Sequence, residues 1–238
     1  MGRQLIDLLT RPQAEDTLCA SVDVALDGLP APAYDSLAAV LEKPDVVIDF
    51  SHHSAAGALT AYATRHACPL VVATTGQTEE EHRLILDAAK KIPVFYSANM
   101  SVGIALLASL VRQAVRAFPD ADVEIVETHH NRKLDVPSGT ALMLAKAAKD
   151  ARPNATFCVG RHENGKRPKD EIGIHSIRLG NVVGEHEIHI STGNETLVLR
   201  HEAHSRALFA EGALVAAHYL QNKTPGLYTL ADMFGEDA

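Results

Sequence analysis

Long apolar runs are missing from this sequence. Nowhere do hydrophobic residues approach the roughly 18 in succession that a membrane-spanning helix needs, so no membrane partner is expected. Cysteine is scarce: Cys19, Cys68 and Cys158 are far apart and odd in number. That pattern does not make a disulfide framework and suits reduced thiols, hence a cytoplasmic location. The opening residues, Met1 to Ile6, lack the layout of a secretory signal. Low-complexity segments and internal repeats are absent. So are a Cys-x-x-Cys pair and a His-x-x-x-His pair at helical spacing, so no metal site is expected. A basic surplus is absent too. With 22 Lys and Arg against 30 Asp and Glu the formal net charge is −8, which argues against nucleic acid as a partner.

What is present is an ordinary globular balance, 46% hydrophobic and 22% charged over 238 residues, enough for one large or two modest domains. One stretch stands out: Glu127-Thr-His-His-Asn-Arg-Lys-Leu-Asp-Val-Pro-Ser-Gly-Thr-Ala141. It follows an apolar run, Val123 to Val126, that reads as a buried strand, and leads into a helix over Leu142 to Lys149. Pro137 keeps the residue before it out of the helix, Ser138 can cap, and Gly139 leaves the first amides uncovered. A helix start with bare amides beside the Thr140 hydroxyl suits a carboxylate or phosphate. His129, His130, Arg132 and Lys133 crowd next to it. A plain surface loop with a capped helix would need no such density. A basic cluster on an acidic chain suggests that a small acidic ligand is held there.

Along the rest of the chain, strand and helix alternate. Met1 to Leu9 reads as a helix with an apolar face, and Leu18 to Val22 as a strand ending at Asp23. A short helix is expected over Asp35 to Leu41, a strand over Val46 to Phe50, and a helix capped by Ser54 running to His66. A strand over Leu70 to Ala73 precedes Thr74-Thr75-Gly76; Thr78 with Glu81 then makes a capping box for a helix to Lys91. Val94 to Tyr96 is the next strand. This order predicts a parallel, doubly wound α/β sheet with ligands at the carboxyl ends of its strands, where Ser51-His52, Thr74-Thr75-Gly76 and Ala98-Asn99 fall. Ser101 caps a long helix over Val102 to Phe118. Arg152 to Asp170 is polar and reads as a mobile connection. Ile172 to Leu179, Glu185 to Ser191 and Glu195 to Ala203 alternate like strands of an open mixed sheet. Such a sheet exposes a face or an edge unless another subunit covers it, so an oligomer is expected. Ala207 to Leu220 and Leu227 to Phe234 read as the last helices.

Four stretches carry a family resemblance: the loop quoted above, Ala73-Thr-Thr-Gly76, Ser97-Ala-Asn-Met-Ser-Val-Gly103 and Gly180-Asn-Val-Val-Gly-Glu-His186. They resemble the signature motifs of the 4-hydroxy-tetrahydrodipicolinate reductases, enzymes of the diaminopimelate and lysine pathway, and the likeness runs over nearly the whole chain. It implies a Rossmann-like cofactor domain over 1–100 and 207–238, and an α+β substrate and tetramerisation domain over 101–206. It implies hydride transfer from NADH or NADPH to a cyclic dicarboxylate, with loss of water. His129 and Lys133 match the proton-donor positions. His130, Ser138, Gly139 and Thr140 would hold the substrate. Met1, Asp23, Ala73, Thr74, Thr75, Ser97, Ala98, Asn99, Met100 and Arg206 would line the cofactor, with His201 and His204 near the return to its domain.

Two departures from the family pattern matter. A Gly-rich phosphate-binding turn is followed about 20 residues later by an acid that bonds the ribose hydroxyls, and Asp23 follows Gly2 at about that spacing. Met1 and Gly2 would then be the last residues of the turn, and the first strand and most of the turn are missing from the chain as given. Either the start lies too far downstream, or cofactor binding has been lost and the chain is a non-catalytic, oligomer-forming homologue. A central parallel strand is hard to delete without exposing two apolar faces, which favours the first. Asp23 also repels a 2′-phosphate, and Val24 stands where relatives that use NADPH carry arginine, so NADH is the expected preference. Ala73 stands in place of the family's usual glycine. Another two-domain NAD-dependent amino-acid or semialdehyde dehydrogenase is the remaining alternative.

Overall fold

The computed structural model describes residues 1–234. The chain divides into two compact units, one of Met1–Met100 with Arg206–Met233, the other built on Ser101–Ser205. Positions 235–238, part of the expected cofactor domain, lie outside the described residues. Among the described residues no helix is long and apolar enough to cross a membrane.

In the first unit come α1 (Gly2–Leu9), β1 (Ser21–Val22), β2 (Ala33–Tyr34), β3 (Val47–Asp49), α2 (Ala56–Arg65), β4 (Leu70–Val72), α3 (Glu79–Ala89) and β5 (Pro93–Tyr96); α6 (Ala207–Leu220) and β11 (Gly226–Tyr228) complete it. The main sheet is parallel throughout, in the order β11-β5-β4-β3. Its strands are short apolar runs because both faces are covered. Leu70, Val72 and Val94 pack on Leu59 and Ala63 of α2 and on Ile85 and Ala88 of α3. Leu5 and Leu8 of α1 meet Ala210 of α6, with Ile48, Phe50 and Leu214 packed against them. Helix α6 also carries Tyr219, whose ring lies edge-on to Phe95 at 6.1 Å. Gly212 lets this helix come close: a Cβ there would lie 1.7 Å from the Met100 carbonyl oxygen.

Three expectations in this unit are corrected. The strand over Leu18 to Val22 shrinks to Ser21–Val22, paired with β2 in a separate two-stranded ribbon. A strand extends only as far as its partner's hydrogen bonds; here these are Ser21 N to Pro32 O (3.0 Å) and Asp23 N to Tyr34 O (3.1 Å). Ser54 does not cap α2. It lies inside a 3₁₀ turn, His53–Ala55, and donates its amide to the His52 ring. The helix expected over Leu227 to Phe234 is instead β11, a parallel edge partner for β5, followed by a 3₁₀ turn at Ala231–Phe234. The free edge of β5 outweighs helix propensity there, and Asp232 holds the Thr229 amide and hydroxyl at 2.6 and 2.7 Å. The capping box is formed: Thr78 Oγ1 accepts from Glu81 N, and the Glu81 carboxylate accepts from Thr78 N.

The second unit runs α4 (Val102–Ala117), β6 (Asp122–His129), α5 (Gly139–Ala151), β7 (Thr156–Val159), β8 (Glu171–Arg178), β9 (Gly184–Ser191) and β10 (Thr196–Ala203). Its sheet is mixed, in the order β10-β9-β6-β8-β7: β6 is parallel to β8 and antiparallel to β9. Both helices cover one face. Val123, Ile125, Ile172, Ile174, Ile188 and Ile190 pack there on Ile104, Leu107 and Val111 of α4 and Leu144, Ala145 and Ala148 of α5. The other strand positions carry ion pairs: His175–Glu124 at 2.8 Å, His189–Glu187 at 2.6 Å and Arg200–Glu185 at 3.1 Å. Gly173 is needed for the first of these. A Cβ on it would overlap the Glu124 carboxylate, 1.7 Å from Oε2.

The expected mobile connection over Arg152 to Asp170 is also corrected. It contains β7, and Arg167 fixes its far end by donating to Glu124 Oε1 (2.8 Å), Asp122 Oδ1 (2.7 Å) and the Val123 carbonyl (3.1 Å). Three anchors for one guanidinium were invisible without knowing that β6 lies beside it.

Candidate active site

Strand β6 builds the site in the second unit. Its inward positions alternate Val123, Ile125, Glu127, His129, so the row that begins as apolar core ends in a carboxylate and an imidazole. Glu127 is completely buried and His129 is 8% exposed. A carboxylate in that position must be fully hydrogen-bonded to stay charged. Glu127 is. Arg178, at the end of the neighbouring β8, grips it with both nitrogens, Nη1 to Oε2 at 3.0 Å and Nη2 to Oε1 at 2.8 Å. The Ser138 amide donates to Oε1 at 3.2 Å, and His129 Nδ1 lies 2.5 Å from Oε2. Burial by itself would raise the Glu127 carboxyl; the hydrogen bonds from His129 and Arg178 outweigh it and hold it well below the usual carboxylate range.

The next layer comes from β9, whose register sets His186 opposite Glu127. The His186 ring stands edge-on to His129 at 5.2 Å. Its Nε2 lies 3.2 Å from Ser138 Oγ, and that oxygen also accepts from the Ala141 amide at 3.1 Å as the cap of α5. Burial, with the His129 charge adding to it, pushes His186 down to about 3 despite Glu127, so the ring is neutral. Gly184, also on β9, makes room for His129: a Cβ there would sit 3.0 Å from its Nε2.

Beyond His129 the chain turns across the Gly180 hairpin. Leu179 N donates to His129 O (2.8 Å), His130 N to Val182 O (2.8 Å) and Asn131 N to Gly180 O (3.2 Å). Gly180, at φ +50°, takes the left-handed turn that this pairing requires. Arg132 donates to Asn181 Oδ1 at 2.9 Å. Lys133 Nζ pairs with Asp135 at 3.0 Å, and the Asp135 carbonyl accepts from Arg178 Nη2 at 2.8 Å. One arginine thus ties the loop that carries Lys133 to the carboxylate that holds His129. His130 and Thr140 are half-buried, Gly139 is exposed, and Gly139 and Thr140 are the first two residues of α5. Ser138, by contrast, is 1% exposed and its hydroxyl faces inward.

The first unit gathers other residues named from sequence. Ala73, Thr74 and Thr75 follow β4; Ser97, Ala98, Asn99 and Met100 follow the adjacent β5. Ala73 N donates to Asp49 O at 3.0 Å and Ser97 N to Val72 O at 3.3 Å, so both turns leave the sheet in register. Gln77 clamps them, donating to Thr74 O at 2.7 Å and accepting from the Tyr96 hydroxyl at 3.1 Å. Ser97 Oγ donates to Asn99 O at 2.6 Å, and Met100 is buried. Thr74 is buried with its Oγ1 unbonded. Met1 and Arg206 occupy the N-cap positions of α1 and α6. Asp23 is exposed at the end of the separate ribbon, with Oδ1 accepting from Ala25 N at 3.0 Å. His201, in the second unit, lies over Gly103 at the start of α4.

Sequence reasoning missed Glu127, Arg178 and His186 as site residues. A signal for the first was there, since Glu127 continues the period-two row of Val123 and Ile125 and must face the same way. Arg178 and His186 become visible only once β8 and β9 are set beside β6. Among the described residues no three His, Cys, Asp or Glu side chains cluster to hold a metal ion.

Comparison with known proteins supplies the family. Family models described as "Dihydrodipicolinate reductase, N-terminus" and "Dihydrodipicolinate reductase, C-terminus" match residues 1–100 and 103–234. The 4-hydroxy-tetrahydrodipicolinate reductase of Caldanaerobacter subterraneus subsp. tengcongensis is 44% identical over 235 residues, covering 98% of this chain and 93% of its own. That of Clostridium tetani is 41% identical over 233 residues, covering 97% and 91%. Among solved structures, a dipicolinate-bound dihydrodipicolinate reductase from Paenisporosarcina sp. TG-14 has a TM-score of 0.82 at 26% identity, covering 98% of this chain and 94% of that one. An amine dehydrogenase from Mycobacterium smegmatis, at TM-score 0.54 and 11% identity over 84% of this chain and 79% of that one, shares the fold alone.

Proposed function

The chain belongs to the dihydrodipicolinate reductase family, and we propose on that footing that it reduces 4-hydroxy-tetrahydrodipicolinate to tetrahydrodipicolinate for diaminopimelate and lysine synthesis. A hydride and a proton enter and water leaves. The observation that carries the reading is the loop after β6, which sets an imidazole, a lysine and an open helix start on one rigid frame. One carboxylate of the substrate meets the first amides of α5, Gly139 and Thr140, and the Thr140 hydroxyl. A helix start of this kind favours an anion by about 0.3–2 kcal/mol. Ser138 serves from beneath, through its cap and its amide bond to Glu127, since its hydroxyl is committed to His186. His130 and Lys133 take the second carboxylate and the ring-nitrogen side. His129 and Lys133 are the proton donors, and Lys133 is steered by Asp135.

The family uses a nicotinamide cofactor, which supplies the hydride when bound. The turns after β4 and β5 fit one: the unbonded Thr74 hydroxyl and the Ser97–Asn99 turn lie at the carboxyl ends of adjacent parallel strands, where such sheets take ligands. Met1 and Arg206 would contribute from the two helix starts, and Asp23 would meet the ribose hydroxyls. With Asp23 exposed and Val24 95% exposed beside it, a 2′-phosphate meets a carboxylate and an apolar side chain at these two positions, so NADH is preferred. The first unit is accordingly the cofactor domain. The second is the substrate domain and, through the sheet face that its helices leave uncovered, the contact surface of a homotetramer in the cytoplasm.

Lys133→Ala is expected to remove most turnover, with near-normal rates ending the assignment. Steady-state comparison should give a higher kcat/KM with NADH than with NADPH; the reverse order would overturn the role of Asp23. Sedimentation should find four copies.

A further inference from the structure

We propose that Glu127 is a positioning residue: a buried carboxylate that fixes the imidazole proton of His129 on Nδ1 and leaves Nε2 as the nitrogen that works on the substrate. The inference deepens, and rests on, the assignment of His129 as a proton donor.

The donor count makes the case. Each oxygen of Glu127 has two donors. Oε1 takes Arg178 Nη2 at 2.8 Å and the Ser138 amide at 3.2 Å; Oε2 takes Arg178 Nη1 at 3.0 Å and faces His129 Nδ1 at 2.5 Å. Three of the four partners can only donate. A carboxylate held this way is charged and accepts only, so Nδ1 must carry a proton. The second proton of an imidazolium is then on Nε2, over the space that Gly184 leaves open. When it is delivered, the Nε2–H bond breaks, its electron pair stays on the ring, and Nδ1–H stays with Glu127. His186 is held elsewhere, its Nε2 3.2 Å from Ser138 Oγ.

The same count says what Glu127→Gln does. The amide of glutamine brings two hydrogens that must face an acceptor. At the Oε1 position they would meet the Ser138 amide and Arg178, neither of which can accept. At the Oε2 position one hydrogen still faces Arg178 Nη1, but the other meets His129 Nδ1, which accepts once its proton moves to Nε2, so this placement has one conflict where the first has two. The variant therefore selects the other tautomer with the same side-chain volume, and an amide in place of such a carboxylate lowers kcat on the order of 10²- to 10⁴-fold.

The test uses the full chain labelled with ¹⁵N at histidine. Two-bond correlations between ring protons and nitrogens at mildly alkaline pH should show His129 protonated on Nδ1 in the wild type and on Nε2 in Glu127→Gln. In the same variant kcat should fall by the stated factor with KM nearly unchanged, and Glu127→Gln should have little further effect in a His129→Ala background. An Nε2-protonated His129 in the wild type overturns the inference and needs no variant to fold. So does an equal loss from Glu127→Gln with and without His129, which would make the carboxylate a mere structural prop. Near-normal turnover in His129→Ala alone refutes the proton-donor assignment instead, while the tautomer reading still decides the role of Glu127.

Discussion

Replacing Gly212 with Ala tests how tightly the first unit is assembled around the end of β5. In a helix interior the change ordinarily stabilises, by about 0.5–1 kcal/mol, because glycine loses more backbone freedom on folding. Here the new Cβ would lie 1.7 Å from the Met100 carbonyl oxygen and 2.9 Å from its carbon. Ordinary contact is about 3.5 Å, so α6 would have to withdraw by on the order of 1.5 Å or more. Ala210, Ala213 and Ala216 on the same helix are fully buried, so withdrawal opens gaps along its length. Overpacking of this kind costs about 1–3 kcal/mol. Gly57 is the control. It is a helix glycine of the same unit whose Cβ would meet only Leu84 Cδ1, at 3.7 Å. Urea unfolding followed by circular dichroism, at one protein concentration, should therefore separate Gly57→Ala from Gly212→Ala by roughly 1.5–4 kcal/mol, the first more stable than wild type and the second less. Equal midpoints would refute the close approach.

Acid should act through His186. Its folded value, about 3, lies below the ordinary 6.5, so between the two the unfolded chain binds the extra proton and stability falls as pH falls. That amounts to about 3 kcal/mol between pH 6.5 and 4, and His186→Gln, which keeps an acceptor for Ser138, should lose correspondingly less in urea titrations over that range. Parallel losses in the two proteins would contradict it. The Glu127 carboxyl is shifted the other way relative to its charge, so its contribution is present above the usual carboxylate range and is lost only on further acidification. Thr78→Ala removes one half of a formed capping box and should destabilise by about 1 kcal/mol, measured by the same unfolding. Gly184→Ala sets a methyl group 3.0 Å from His129 Nε2; the variant should fold, with an unchanged circular dichroism spectrum, and lose kcat.

Local chemistry made much of this protein legible in one dimension. The Thr78–Glu81 box and the Ser101 and Ser138 caps are set by side chains within a few residues of the backbone they satisfy. The family motifs pointed to His129, Lys133 and the helix start because these lie within a dozen residues of one another. Three elements whose identity or length hangs on a distant partner did not read correctly, although the strongly apolar or alternating strands did. Strand β11 exists because β5 has a free edge, β1 ends where β2 stops pairing, and β7 forms on β8.

The same division runs through the candidate site. Sequence by itself determined that a basic loop precedes a capped, amide-lined helix start, because hydrogen bonds of short reach decide that. Only the tertiary structure decided that the loop is organised from below by Glu127. Arg178 is 51 positions away from it in sequence, and His186 is 48 from Ser138. A buried charge is stable only where such distant donors converge, and the pairing of β8 and β9 with β6 is what brings them there.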